Sequence, residues 1–221
     1  MDSKEIALFP IPGMACFPGT VVPLHVFEPR YRDMLKESVK LGRWIGVCHT
    51  KKVLTEAKTG QTKAEALNSN QGNFEPQDIF SAGPATIEDV TADGRLIVSI
   101  EMMERFERTE EIQSLPYRIV KAKSYEDDTD ILPSESINLL RKSISAFLES
   151  RFDEMKEAEV LKQSLNKLNQ LDNASFSFQV FQWIRPDGAI AQKFLEMKNP
   201  NARLLGLSHL LGITDSDLFK A

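Results

Sequence analysis

LFPIPGMACFPGTVVPLHVFEPRYRDML, residues 8–35, decides how the chain is read. Pro10, Pro12, Pro18 and Pro23, with Gly13 and Gly19, crowd its first sixteen residues. Each proline fixes φ and removes a backbone donor, which excludes a helix or a central strand here. The stretch predicts short extended pieces joined by turns, the sharpest at Pro18-Gly19. Val21, Val22, Leu24, Val26 and Phe27 then suit a buried strand. Glu28-Pro29 opens a helix, with proline at its first position and a carboxylate at the positive end of its dipole. Phe27, Tyr31, Met34 or Leu35, and Ser38 or Val39 recur at spacings of three and four, which turns one stripe inward. A strand, a sharp turn and a helix folded back on that strand are expected.

Further along, residues 44–48 read as a short buried strand. Residues 50–78 are rich in Lys, Thr, Gln, Asn, Ser and Glu. They predict a solvated loop or hairpin, or a flap beside a binding surface. Residues 79–125 carry β signals. Asp93-Gly94 is a hairpin turn, Leu96, Val98 and Ile100 alternate on one face, and two more strands flank Pro116. Short strands this closely spaced point to a small barrel or curled sheet. Glu126, Asp127, Asp128 and Asp130, with Pro133 after them, mark a boundary, giving a β region over 1–128 and a helical region over 129–221. Beyond it, Ile137, Leu140, Ile144, Phe147 and Leu148 define one helix. Met155, Ala158, Leu161, Leu165 and Leu168 define a second. A third runs from about Asn173 through Phe176, Phe178, Val180, Phe181, Trp183 and Ile184 to Pro186. Residues 189–197 form a fourth, and Asn199-Pro200 caps a fifth. The fold class is α+β, an amino-terminal β pseudobarrel with one packed helix followed by an all-helical bundle.

Three sets of residues resemble the Lon protease amino-terminal, or substrate-binding, domain family. The first is Leu8, Phe9, Pro10, Pro18, Gly19, Pro23, Leu24, His25, Phe27, Glu28, Arg30, Tyr31 and Met34. The second is Gly83, Asp93-Gly94-Arg95, Glu104-Arg105-Phe106 and Pro116-Tyr117, and the third is FLEMKNPNARLLGLSHLLG over residues 194–212. Together they span almost the whole chain in order. The resemblance implies a compact pseudobarrel of the PUA-like kind, with the Tyr31 helix packed on it. It implies a module that binds unfolded or apolar polypeptide segments, and it points to a separate Lon-type protease as a partner. Pro18, Gly19, Pro23, Leu24, Phe27, Glu28, Arg30 and Tyr31 read as a structural signature, present for backbone shape and core. Met14, Phe17, Phe74 and Trp183 are the candidate polypeptide contacts, on an apolar surface expected where the two halves meet.

Composition narrows the function further. An apolar share of 42% and a charged share of 27% are those of an ordinary soluble domain. A net charge of −5, with neither half basic, weighs against a dedicated nucleic-acid binder. Cys16 and Cys48 have no CxxC context and read as free thiols of a reduced cytosol, so a cytoplasmic protein is expected. No apolar run is long enough to span a membrane. There is no GxxxxGK[ST] and no room for an ATPase or a Ser–Lys peptidase module. The resemblance therefore implies a free-standing recognition domain and no enzyme. His25 with Glu28 at i+3 lacks the spacing of a metal pair, and His49 and His209 lie far from it in sequence. Cys48 and His49 are adjacent, so in a strand they face opposite ways and cannot act as nucleophile and base. No cofactor and no metal are expected. Glu28, Arg30, Tyr31 and Arg32 could contact a ligand. The simpler reading has Glu28 capping the helix, Tyr31 inward and the arginines paired on the surface. Two other functions stay open on the residues: a nucleic-acid binder by analogy with PUA-like folds, and a small-molecule sensor or enzyme built in the barrel.

Overall fold

The computed structural model describes residues 3–56, 60, 62, 65, 69–128, 135–153 and 155–213. Two compact units divide the chain: residues 1–126 with 185–195, and residues 127–184 with 196–221.

In the first unit, Ile6 to Pro10 form an unbroken buried run because strand β1 (Lys4–Pro10) is covered on both faces. Ile6 and Leu8 join Cys48, Phe80, Ala82, Phe106, Val120 and Ala122 inside a barrel. Ala7 and Phe9, on the opposite face, join a second core with residues of a separate sheet and helix. The other barrel strands are β3 (Trp44–Cys48), β6 (Ile79–Gly83), β9 (Glu104–Gln113) and β10 (Arg118–Ser124). Their order is β1-β10-β9-β6-β3, and the parallel pairing of β1 with β3 closes the ring. Gly46 is required by this closeness: a Cβ there would lie 2.7 Å from the Phe80 ring and 2.9 Å from Leu8 Cδ2. Gly83 is tighter still, since its Cβ would fall 1.6 Å from the Glu101 carbonyl oxygen.

The separate sheet has the order β2-β8-β7, from β2 (Thr20–Val26), β7 (Ala85–Val90) and β8 (Leu96–Met102). Gly19, in the left-handed region at φ +78°, makes the turn into β2. β2 is an edge strand, which lets it carry Pro23. It is half-buried rather than buried throughout: Val22 and Val26 face the core, while Val21 is 61% exposed. Alternation explains this, because only one face of the sheet meets the core. Helix α1 (Pro29–Leu41) packs on β7, β3 and β1 and buries Tyr31, Met34, Leu35 and Ser38. Residues 50–78 contain an antiparallel pair, β4 (Thr50–Thr55) with β5 (Asn73–Pro76), in which Val53 faces Phe74. Helix α5 (Gly188–Glu196) has most of its length in this unit. Gln192 Nε2 donates to the Ile79 carbonyl at 3.0 Å, and buried Arg105 donates to the Leu195 carbonyl at 2.6 Å, near the negative end of the helix.

The second unit contains α2 (Glu135–Phe152), α3 (Ala158–Leu168), α4 (Asn173–Gln179) and α6 (Pro200–Leu210). Leu140, Ile144, Leu148, Leu165, Phe176, Val180, Leu204 and Leu207 are buried here. The third helix stops well short of Pro186: α4 ends at Gln179 and a 3₁₀ turn, Val180–Gln182, follows. The tighter turn buries Val180 and Phe181 and leaves Trp183 edge-on to Phe152 at 5.4 Å. Asn199 caps α6 by accepting from the Asn201 and Ala202 amides. Arg203 is fully buried. Its guanidinium donates to both Asp127 carboxylate oxygens at 2.7 and 2.6 Å, to Ser177 Oγ at 2.9 Å and to the Met197 carbonyl at 2.7 Å. It also lies 3.8 Å from the Phe178 ring centroid. A buried cation this fully paired avoids the cost of desolvation without compensation.

Candidate polypeptide-binding groove

The Pro-rich stretch and α1 create a concave apolar surface in the barrel unit. β1 ends at Pro10 and the chain continues as Ile11-Pro12, held by the Ile11 amide donating to the Cys48 carbonyl at 2.9 Å. The end of β2 and the residue after it contribute Leu24, His25, Val26 and Phe27. Tyr31 lies between, and Phe74 of β5 completes a groove of about 260 Å³. Phe9 and Tyr31 stack with centroids 4.2 Å apart and rings 26° from parallel. Burial pushes the Tyr31 phenol up to about 12, so it stays neutral at physiological pH. Among the described residues lining the groove, Glu28 is the one acid, and its carboxylate is engaged by Arg30. The arrangement suits an uncharged aromatic or aliphatic side chain. The volume is below the span of typical small-molecule pockets.

The signature residues have distinct places. Pro18 and Gly19 form the turn before β2, and Pro23 sits exposed on its edge. Leu24, Phe27, Glu28 and Tyr31 line the groove. Two assignments differ from the simpler sequence reading. Glu28 occupies the N-cap position of α1, but its side chain makes no capping bond. Its carboxylate accepts instead from Arg30 Nε and from the Gln71 amide, each at 3.0 Å. Arg30 is not a surface residue: it is 8% exposed and donates to the Gly72 carbonyl at 2.6 Å. Its neighbour Arg32 donates to the carbonyl of Gly94, in the β7–β8 turn.

Of the four candidate contacts, Phe74 lines the groove. Met14 is partly buried against the core that contains Phe9, and Phe17 is 4% exposed. Trp183 lies in the helical unit against Phe152. His25 is exposed beside the groove, and His49 accepts from the Gly13 amide through Nδ1 at 3.0 Å. Phe9, Ile11 and Pro12 escaped the sequence reading as groove residues. The proline-broken stretch read as short extended pieces and turns, and only the path of the chain after Pro10 shows the surface it opens. Cys16 and Cys48 are free and buried, and burial pushes the Cys16 thiol up to about 12. Among the described residues, no group of three or more His, Cys, Asp and Glu could hold a metal ion, and no helix is long and apolar enough to cross a membrane.

A closed barrel with a Pro-rich opening, one packed helix and a helical unit after it defines the architecture of Lon amino-terminal domains. The chain matches the family described as the ATP-dependent protease La (LON) substrate-binding domain over residues 5–212, and it belongs to that family. Solved structures share the fold, among them two that cover nearly the whole chain. One is a Lon N-terminal domain protein from Xanthomonas campestris, with TM-score 0.60 and 19% identity, covering 93% of this chain and 98% of that one. The other is the N-terminal domain of a Mycobacterium avium complex Lon protease, with TM-score 0.67 and 12% identity, covering 95% and 99%. A search of curated proteins finds no match.

Proposed function

We propose that this chain is a non-enzymatic recognition module that binds unfolded or apolar polypeptide segments, with the groove of the barrel unit as the binding surface and a Lon-type protease as its working partner. The observation that carries this reading is the mainly apolar groove lined by Phe9, Ile11, Leu24, Phe27, Tyr31 and Phe74 in a member of a substrate-binding family. The edge of β2 argues for side-chain insertion rather than strand addition. Pro23 pairs with Ser99 yet has no N–H, so the free edge lacks a donor where an added strand would need one. Such a surface favours a segment that offers one large apolar side chain and is selected by exposure rather than by sequence.

The test is fluorescence anisotropy of the full chain against a labelled, permanently unfolded polypeptide rich in aromatic residues, with a single-stranded RNA of matched length as control. Saturable binding of the polypeptide and little RNA binding at ~0.15 M salt are expected. Phe74→Ala should weaken the polypeptide about tenfold, the scale of burying one large apolar side chain. Unchanged affinity in both Phe74→Ala and Leu24→Ser would remove the groove from the account. Salt-sensitive RNA binding in place of polypeptide binding would overturn the function itself.

A further inference from the structure

We infer that Glu28 and Arg30 are positioning residues, a latch that holds residues 70–72 against the start of α1 and thereby sets Phe74 as the wall of the groove. The inference rests on the groove being the binding surface, and it assigns a role to Arg30, which does not line the groove, and to Glu28 through its hold on the loop rather than through contact with the ligand.

The first turn of α1 leaves backbone amides without helical partners. Glu28 does not cap them. The Arg30 amide donates instead to Asn70 Oδ1 at 3.2 Å, so a side chain from the distant loop supplies the cap. One residue on, the Gln71 amide donates to Glu28 Oε2. One further, the Gly72 carbonyl accepts from Arg30 Nη2. Three consecutive loop residues are thus each tied to Glu28 or Arg30. The pair itself closes at 2.9 Å, with side chains only 8% and 15% exposed, where solvent screens little. Gly72 lies two residues before Phe74. Its partner Arg30 also rests its guanidinium 4.6 Å from the centroid of Tyr31, which lines the groove. One guanidinium therefore spans the floor at Tyr31 and the approach to the wall at Gly72. A planar fork can hold a carboxylate and a carbonyl together, and an ammonium cannot reproduce that geometry.

The experiment is the same anisotropy titration, extended to Arg30→Lys, Asn70→Ala, Phe74→Ala and the double variant Arg30→Lys with Phe74→Ala. Arg30→Lys should weaken polypeptide binding about five- to tenfold, the scale of one charge-assisted hydrogen bond, and Asn70→Ala about fivefold, the scale of one helix cap. The double variant should bind no more weakly than Phe74→Ala alone, because the latch acts through Phe74. A ¹⁹F spectrum of the unliganded chain with 4-fluorophenylalanine at position 74 should shift and broaden when Arg30 becomes Lys. Wild-type affinity in both Arg30→Lys and Asn70→Ala, or losses that simply add in the double variant, would overturn the latch. Failure of the groove reading looks different: Phe74→Ala and Leu24→Ser would then both bind like the wild type. If Arg30→Lys loses its cooperative thermal transition, Asn70→Ala, whose residue is exposed, carries the same expectations.

Discussion

The barrel unit and the helical unit both bury arginine, but they use it differently. In the barrel unit, Arg30 and Arg105 reach the backbone carbonyls of Gly72 and Leu195 and fasten a loop and a helix that the strand ladders do not hold. In the helical unit, Arg203 is fully buried and bonds to Asp127, Ser177 and Met197. The difference follows from where each unit's backbone bonds go. A sheet spends its N–H and C=O groups between distant segments, so the barrel is joined by its backbone and needs side chains only at its margins. A helix spends them within itself, so helices are joined by packing and by whatever polar side chains cross between them.

Trp44 and Trp183 report on the two units separately, one beside Phe106 in the barrel and the other against Phe152 in the helical unit. Urea unfolding followed in Trp44→Phe and Trp183→Phe backgrounds can therefore break the comparison. The largest effect is expected for Gly83→Ala. The contact is with backbone, so no side chain can move aside, and a loss of about 5 kcal/mol or failure to fold should appear in the Trp44 signal. Arg203→Met should come next, at about 3–5 kcal/mol in the Trp183 signal, because it removes the buried guanidinium that holds Asp127, Ser177 and Met197 together. A loss of that size read equally by Trp44 would mean that the units do not unfold independently. Gly46→Ala should cost about 1–3 kcal/mol, since the Phe80 ring and Leu8 can give slightly.

The smallest effect concerns the cap of α4. Partial burial raises the Asp172 carboxyl, but the Ser175 amide and hydroxyl outweigh it and hold the group below the usual carboxylate range. Asp172→Ala should cost about 1 kcal/mol at neutral pH. A depressed folded-state pKa gives stability that is present above the unfolded value and is lost as pH falls towards the folded one. The gap between wild type and Asp172→Ala in the Trp183 signal should therefore hold at neutral pH and narrow on acidification below the normal carboxylate range. A gap constant down to strong acid would assign the cap to something other than the charge.

Much of this architecture was legible in local chemistry. Prolines at 10, 12, 18 and 23 forbade a helix, Asp93-Gly94 announced a hairpin, and Asn199-Pro200 announced a helix start. The extent of α4 was misread because Phe176 to Ile184 keeps a helical apolar pattern, whereas burial of Val180 and Phe181 favoured a tighter turn. Phe74 was legible as a candidate polypeptide contact, an aromatic in a polar stretch. The groove it closes depends on the pairing of β4 with β5, which shows no period strong enough to read.

What the sequence determined alone is whatever nearest neighbours along the chain decide: turn, cap, strand alternation, helical stripe and, through its motif residues, membership of the family. The tertiary structure decided which distant residues meet. It joined β1 to β3 in parallel, brought Arg105 to the end of α5, set Arg203 on Asp127 and tied Asn70, Gln71 and Gly72 to Glu28 and Arg30. The physical reason is that a propensity or a cap is a property of a few consecutive residues. A carbonyl's choice among buried arginines depends on the path of the whole chain, and no local window contains it.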